Sequence, residues 1–365
     1  MRILVLNAGS SSLKFNLFES NREVVIAKGE VERVSDMADA LASVFQHPGT
    51  DRVDAVGNRV VHGGDRFYQS LVIDDAVEKG IEELSVLAPL HNPHNLEAFR
   101  AAKRRLPGVP QVAVFDTAFH HSLPPRAYLY GLPYEYMTEK KIRRYGFHGI
   151  SHRYVSEKLA EIGQTPRGDY RIISCHLGNG CSVCAIEGGK SIDTSMGFTP
   201  LEGLIMGARS GDVDPGAILH LIGHEHADPA QLLHTLNSES GLRGISGVSN
   251  DMRDVLQAAQ SGNERASLAV DAFCYRVRKY IGEYLAVMNG ADALIFTGGI
   301  GENAAGIRAR ICEGMSSLGI AVDRAANEKE SKEARKIGHS AVKVWVVPTN
   351  EELLIARDTL RCVLK

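Results

Sequence analysis

The feature that most restricts the fold is a supersecondary device spelled twice. Arg2 to Leu6 read as a buried strand, Gly9-Ser10-Ser11-Ser12 as a tight turn, and Leu13 to Phe18 resume apolar alternation through Leu13, Phe15 and Leu17. Tyr170 to Leu177 repeat the pattern, running into Gly178-Asn179-Gly180 and then a strand from Cys181 to Ile186. Superposing the tips puts Gly9 on Gly178. A hairpin of this size cannot bury its own apolar face, so each copy must recruit a sheet, and a duplicated, bilobal α/β protein with a cleft is expected. Further strands are expected at Ala55 to Val61, Gln111 to Phe115, Ala293 to Thr297 and Val342 to Val347, and a helix over Ala266 to Met288. Asp323 to Lys336 is polar with few apolar anchors and reads as an exposed helix or loop. The boundary between the halves is expected near His148 to Tyr154.

Composition removes several function classes. Among 365 residues, 41 Lys and Arg face 44 Asp and Glu, a formal charge of -3. No global field recruits nucleic acid or an anionic membrane, so neither is an expected partner and any phosphate site must be local. The hydrophobic fraction of 44% supports ordinary cores. Met1 to Leu6 reaches polar Asn7 too soon for a signal-peptide core, and no stretch approaches the ~20 apolar residues of a membrane span, so a cytoplasmic location is expected. Six unevenly spaced cysteines argue for reduced thiols. Cys181 and Cys184 form a C-x-x-C, but on a strand residues three apart face opposite sides and cannot grip one ion.

The tip Asn7-Ala8-Gly9-Ser10-Ser11-Ser12-Leu13-Lys14 suits an anion: small residues let backbone N–H groups converge, hydroxyls add donors and Lys14 adds a point charge. A plain tight turn is the alternative for either tip alone; as a pair they point to a nucleotide gripped from both halves. Ala293 to Asn303 is a strand running into glycines and then a helix. Gly299, Gly301 and Ala304 satisfy G-x-G-x-x-[GA], and Asp323 stands where a ribose-binding acid would be sought. A nicotinamide dehydrogenase is therefore one reading. The absence of βαβ units after Asp323 favours a glycine turn against adenosine.

Arg59 in NRVVHGG and Arg209 in MGARSGD sit beside glycines that free the guanidinium fork for phosphate or carboxylate oxygens. Asp116 ends a strand, a position suited to metal or substrate work or to helix capping. His148 and His152 are four apart, yet Gly149 opposes a helix starting at His148, and a histidine donating to a phosphoryl oxygen fits better than a zinc site. Asn350 reads as an N-cap, and Glu351 or Glu352 either answers the helix dipole or reaches a magnesium ion through water.

Together, NAGSSSLKF, RVVHGG, APLHNP, FDTAFH, YGFHGISH, HLGNG, DTSMGFTPLEGLIMG, RSGD, GIGEN and PTNEEL resemble the acetokinase family, in order, from Asn7 to Leu353. The resemblance implies two duplicated actin-like (ribonuclease H-like) lobes around a nucleotide cleft, with the last helix returning to the first lobe. The lobes would be residues 1–149 plus 350–365, on the acyl substrate and Mg side, and 150–349, binding ATP. It further implies Mg2+, with Mn2+ possible, at Asn7 and Glu351, and Arg59 and Arg209 on the acyl phosphate. His148 would assist the transferring group, Asp116 would organise arginine or metal, and His176 and His91 would support the transition state. Phosphates would meet Ser10, Ser12 and Lys14. ATP would lie along His176, Leu177, Gly178, Asn179 and Gly180 and along Gly299, Ile300, Gly301, Glu302 and Asn303. Val61, Leu90, Phe147 and Pro200 match a small acyl pocket that favours acetate over propionate or butyrate. A homodimer is implied by the resemblance alone.

Three departures from the pattern are Asn58 for a usual His, Ala208 for Thr and Gly298 for Ala. The chain is also shorter than typical members, with the loss falling between Val34 and Ala38. Acetate is ionised at neutral pH, since carboxyl pKa values lie near ~4, so no general base is needed. The burden is electrostatic: two anions must be brought together in line. Direct transfer without a phosphoenzyme, giving acetyl phosphate and ADP with water excluded by lobe closure, is the expected reaction. A non-catalytic actin-like ATP-binding protein would share the cleft but would have no use for the two arginines.

Overall fold

The hairpin β1 (Arg2–Ala8) and β2 (Ser12–Glu19) runs antiparallel from Arg2 opposite Glu19 to Ala8 opposite Leu13. Gly9 N–H closes the tip on the Ser12 carbonyl at 2.8 Å. The computed structural model describes all residues except 10, 11, 33, 35, 51, 90 and 164–169, so the expectations for Ser10 and Leu90 lie outside the described residues. Two compact units emerge. One comprises Met1–His121, His148–Tyr154 and Asn350–Lys365, the other Ser122–Phe147 and Val155–Thr349.

In the first unit, β3 (Val24–Glu32) lies outside β2, while β4 (Ala55–Val60), β5 (Leu71–Val72) and β6 (Gln111–Phe115) extend the other side, in the order β3-β2-β1-β4-β6-β5. The second unit holds β7 (Arg171–Leu177), β8 (Cys181–Glu187), β9 (Lys190–Thr194), β10 (Ala293–Thr297), β11 (Arg335–Gly338) and β12 (Lys343–Val346), in the order β11-β12-β10-β7-β8-β9. Read from its other end, the second order is the first. Each sheet has an antiparallel meander, two parallel strands beside its first strand, and a short antiparallel strand at the far edge. The fold is a duplicated α/β architecture. β6 and β10 are apolar-rich and buried at every residue, as parallel strands covered on both faces must be.

Two helices position the candidate site in the first unit. The final helix, Glu351–Val363, is N-capped by Asn350, whose Oδ1 accepts from Leu353 N–H at 3.0 Å. It lies so close to β4 that a Cβ on Gly57 would meet Thr359 and Ile355. Burial of Leu354 and Ile355 on this face contributes about 1.5–3 kcal/mol per side chain. The helix Gly149–Gly163 starts against the end of β6: Gly149 N–H donates to the Asp116 carbonyl at 3.0 Å, and a Cβ there would overlap that oxygen. His148, just before it, takes a φ of 57°, an uncommon conformation for a residue with a side chain.

Most of the segment Asp323 to Lys336 is the expected exposed helix and loop, and it differs from the expectation only at its end, where a strand begins. Asp323 caps a short helix, Arg324–Glu328, and Arg335 and Lys336 then enter β11, with Arg335 opposite Val346 and Lys336 opposite Trp345. Pairing with β12 supplies what local polarity concealed. The Lys336 ammonium also sits over the Trp345 ring, 5.3 Å from its centroid.

Candidate active site

Three parallel strands of the first unit end together, and each delivers one polar group there. Asn7 comes from β1, Arg59 from β4, and Asp116 follows β6. The carboxyl ends of parallel strands are where α/β sheets bind ligands. Arg59 Nη2 donates to Asp116 Oδ2 at 2.9 Å and Nη1 to Asn7 Oδ1 at 3.3 Å, while Nε lies 3.8 Å from Glu351 Oε2, beyond hydrogen-bond range. Arg59 Nε is buried and has no hydrogen-bond partner among the described residues. Burial would lower the Arg59 pKa, but Asp116 and Glu351 more than offset it and raise the pKa above its ordinary value.

Asp116 takes the capping role open in the sequence and also pairs with Arg59. Its Oδ2 accepts from His148 N–H at 2.9 Å and its Oδ1 from Ile150 N–H at 3.4 Å, so it caps the helix at Gly149 while bracing Arg59. Its side chain is only 1% exposed, and breaking a buried pair of this kind costs about 3–5 kcal/mol. Glu351 is the first residue of the final helix. Burial pushes its carboxyl up to about 7; Arg59 pulls it down, and the charges of Asp116 and Glu352 push it further up.

Val61 and His91 belong to the same unit. Val61 N–H donates to Asn95 Oδ1 at 3.1 Å, His62 N–H donates to Asn92 Oδ1 at 3.1 Å, and Asn95 Nδ2 donates to the Ala8 carbonyl at 2.9 Å. Asn92 and Asn95 thus tie the helix after His91 to the ends of β1 and β4. The sequence reading overlooked both, although they are the buried residues of the otherwise half-buried stretch HNPHN. Lys14 is exposed on β2 and pairs with Glu30 at 3.6 Å, while Ser12 is half-buried beside the tip.

In the second unit, Gly178, Asn179, Gly299, Ile300 and Asn303 line one cavity of 560 Å³. Asn250, Met252 and Arg253, at the start of the helix Met252–Gln260, also line it and were not foreseen. His176 and Leu177 end β7, and Gly180 accepts from Gly178 N–H at 3.0 Å, matching the bond at the first tip. Glu302 turns its carboxylate to the backbone, accepting from Gly298 N–H at 3.0 Å and Thr349 N–H at 3.1 Å. The Gly301 carbonyl accepts from buried Arg308 at 2.9 Å. Gly298 has a φ of 76°, which favours glycine over the family's alanine.

Arg209 Nη1 donates to the Pro200 carbonyl at 2.9 Å, and Phe147 is buried. Asp323 Oδ1 accepts from Ala326 N–H at 2.7 Å, so the residue sought as a ribose-binding acid serves as a helix cap. The C-x-x-C thiols are buried with different partners, the Gly178 carbonyl for Cys181 and Ser191 for Cys184. Burial pushes the Cys181 thiol up to about 12, far from a reactive thiolate.

A family model described as the acetokinase family matches residues 30–357. The chain belongs to the acetokinase family. It is 50% identical to the acetate kinase of Halothermothrix orenii over 396 aligned positions spanning the whole of both chains. The solved acetate kinase of Porphyromonas gingivalis matches with a TM-score of 0.94 and 42% identity, covering 99% of each chain. A propionate kinase from Francisella tularensis matches at 0.93 and 40%, again over 99% of each. As a family member the chain is a kinase. The alignment of 396 positions exceeds the 365 residues present, so the relative carries residues without a counterpart here.

Proposed function

We propose that the chain transfers the γ-phosphoryl group of ATP directly to the acetate carboxylate, reversibly, with Arg59 and Arg209 as the groups that bear the developing charge. The observation carrying this reading is the bracing of Arg59. Asp116 and Asn7 fix two guanidinium nitrogens, so the cation is held in place without the entropy cost of ordering a free arginine. An ionised acid and a triphosphate repel, and a preorganised cation answers that repulsion; no proton need be removed from acetate.

Each remaining residue has a role in this scheme. His148 donates to the transferring group, and His176 and His91 support the transition state. Val61, Leu90, Phe147 and Pro200 are the residues proposed to select the acid. The adenosine occupies the 560 Å³ cavity lined by Gly178, Asn179, Gly299, Ile300 and Asn303; Ser10, Ser12 and Lys14 are the residues proposed to bind phosphate.

Asn7 and Glu351 fit Mg2+, or Mn2+ in its place. Both are hard oxygen donors, and the described residues contain no cluster of three or more His, Cys, Asp or Glu. Magnesium is ordinarily held by one or two carboxylates plus water and substrate phosphates. Bound there, the ion would neutralise phosphate charge. Among the described residues no helix is long and apolar enough to cross a membrane, and a cytoplasmic homodimer is the proposed setting.

The test is acyl phosphate formation, trapped as hydroxamate, with Mg-ATP and acetate, propionate or butyrate in parallel. The expected order is acetate first, propionate second and butyrate last. The propionate kinase among the structural relatives makes propionate the alternative preferred acid. Product with none of the three would overturn the function, and a propionate optimum would replace the acid.

A further inference from the structure

The loop carrying Arg209 is braced by a polar network that the reaction scheme does not use. Glu202 stands at its centre, accepting from Arg144 Nη2 at 2.6 Å through one oxygen and from the Tyr130 hydroxyl through the other. Arg144 Nη1 also donates to the carbonyls of Ser195 and Met196 at 3.1 and 3.0 Å, and Phe198 N–H donates to the Tyr130 oxygen at 2.8 Å. Gly197 is required there, because a Cβ would overlap Glu202 Oε2 and the Tyr130 hydroxyl. Two residues before Glu202, the Pro200 carbonyl receives Arg209. On the other side, Gly203 and Asp212 exchange hydrogen bonds, with Asp212 Oδ1 accepting from Gly203 N–H at 2.8 Å and Asp212 N–H donating to the Gly203 carbonyl at 3.0 Å. Burial and the adjacent Glu202 charge hold the Tyr130 phenol above its ordinary pKa, so it remains a donor.

We propose that Glu202 is a positioning residue for phosphoryl transfer: clamped between Arg144 and Tyr130, it fixes the Pro200 carbonyl and through it the Arg209 guanidinium. The inference rests on the role given above to Arg209. Glu202 is joined to that guanidinium through two residues of backbone and one hydrogen bond and is not assigned a contact with substrate. A carboxylate shared by a guanidinium and a phenol is a stiff anchor, since both donors are charge-assisted. Proline at position 200 adds stiffness, because its φ is fixed. Misplacing a reacting group's partner by about 1 Å can cost about 10²-fold in rate.

A double-mutant cycle on kcat tests this, using Glu202→Gln, Arg209→Ala and the pair. Glu202→Gln keeps the shape and removes the charge. It is expected to lower kcat by about 10²-fold with the KM for ATP unchanged, and to cost nothing further once Arg209 is alanine. The same fractional loss in both backgrounds, or full turnover in Glu202→Gln, would overturn the positioning role while leaving that of Arg209 intact. Full turnover in Arg209→Ala would instead overturn the role of Arg209. Should Glu202→Gln not fold, Tyr130→Phe removes a single hydroxyl and enters the same cycle with the same expectations.

Discussion

Replacing Arg59 with alanine is expected to lower kcat by about 10³-fold or more, the magnitude attributed to charge-stabilising arginines in phosphoryl transfer. The change deletes the cation whose fork Asp116 and Asn7 hold, and it also leaves the buried Asp116 without its counter-ion. Stability should therefore fall together with turnover, and the two effects must be separated. Arg59→Lys does this: it keeps the charge but presents one point donor where the site supplies two acceptors. Its thermal midpoint should recover most of the loss while its kcat remains far below that of the parent. Arg209→Ala, whose Nη1 donates to the Pro200 carbonyl, should lower kcat to a similar degree. Steady-state kinetics beside thermal unfolding check all three. Near-parent turnover in both alanine variants would remove the arginines from the reaction.

Glu351 should make the metal-free protein lose stability as pH rises, the reverse of the usual carboxylate. Its folded-state value of about 7 lies above the ordinary 4.5. Between these values the folded chain retains a proton that the unfolded chain has released. Unfolding there releases a proton, so stability falls across the window and levels off above about 7. At about 1.4 kcal/mol per unit the contribution is on the order of 3 kcal/mol. Glu351→Gln imitates the protonated form and should flatten this fall, giving a more stable but much less active protein near pH 8. Urea midpoints from about pH 5 to 8 with a chelator present measure it. Identical slopes for parent and variant would show that the carboxyl titrates normally.

The parts of the molecule that were legible beforehand are those whose cause is local. Leu13, Phe15 and Leu17 alternate because one face of β2 is buried, and Gln111 to Phe115 reads as a continuous run because β6 is covered on both sides. The two hairpin tips even anticipated the duplication, which the mirrored strand orders display in full. β11 was hidden because Arg335 and Lys336 are strand residues only by virtue of Val346 and Trp345.

The same division runs through the candidate site. Asn7, Arg59, Asp116 and Glu351 stood out individually, through turn chemistry, glycine neighbours and strand ends. That they converge is a product of strand order, since Arg59 and Asp116 meet only because β4 and β6 are adjacent. Asn92 and Asn95 were overlooked, although they are the buried residues of a half-buried stretch. Arg144, Tyr130 and Glu202 gave no signal, being ordinary surface residue types whose partnership depends on long-range folding.

The stereochemical course at phosphorus tests the account most directly, using ATP made chiral at the γ-phosphoryl group and acetate as acceptor. Transfer in one in-line step predicts inversion of configuration. Net retention would require an even number of displacements, and with it a phosphorylated residue that has no place in this mechanism.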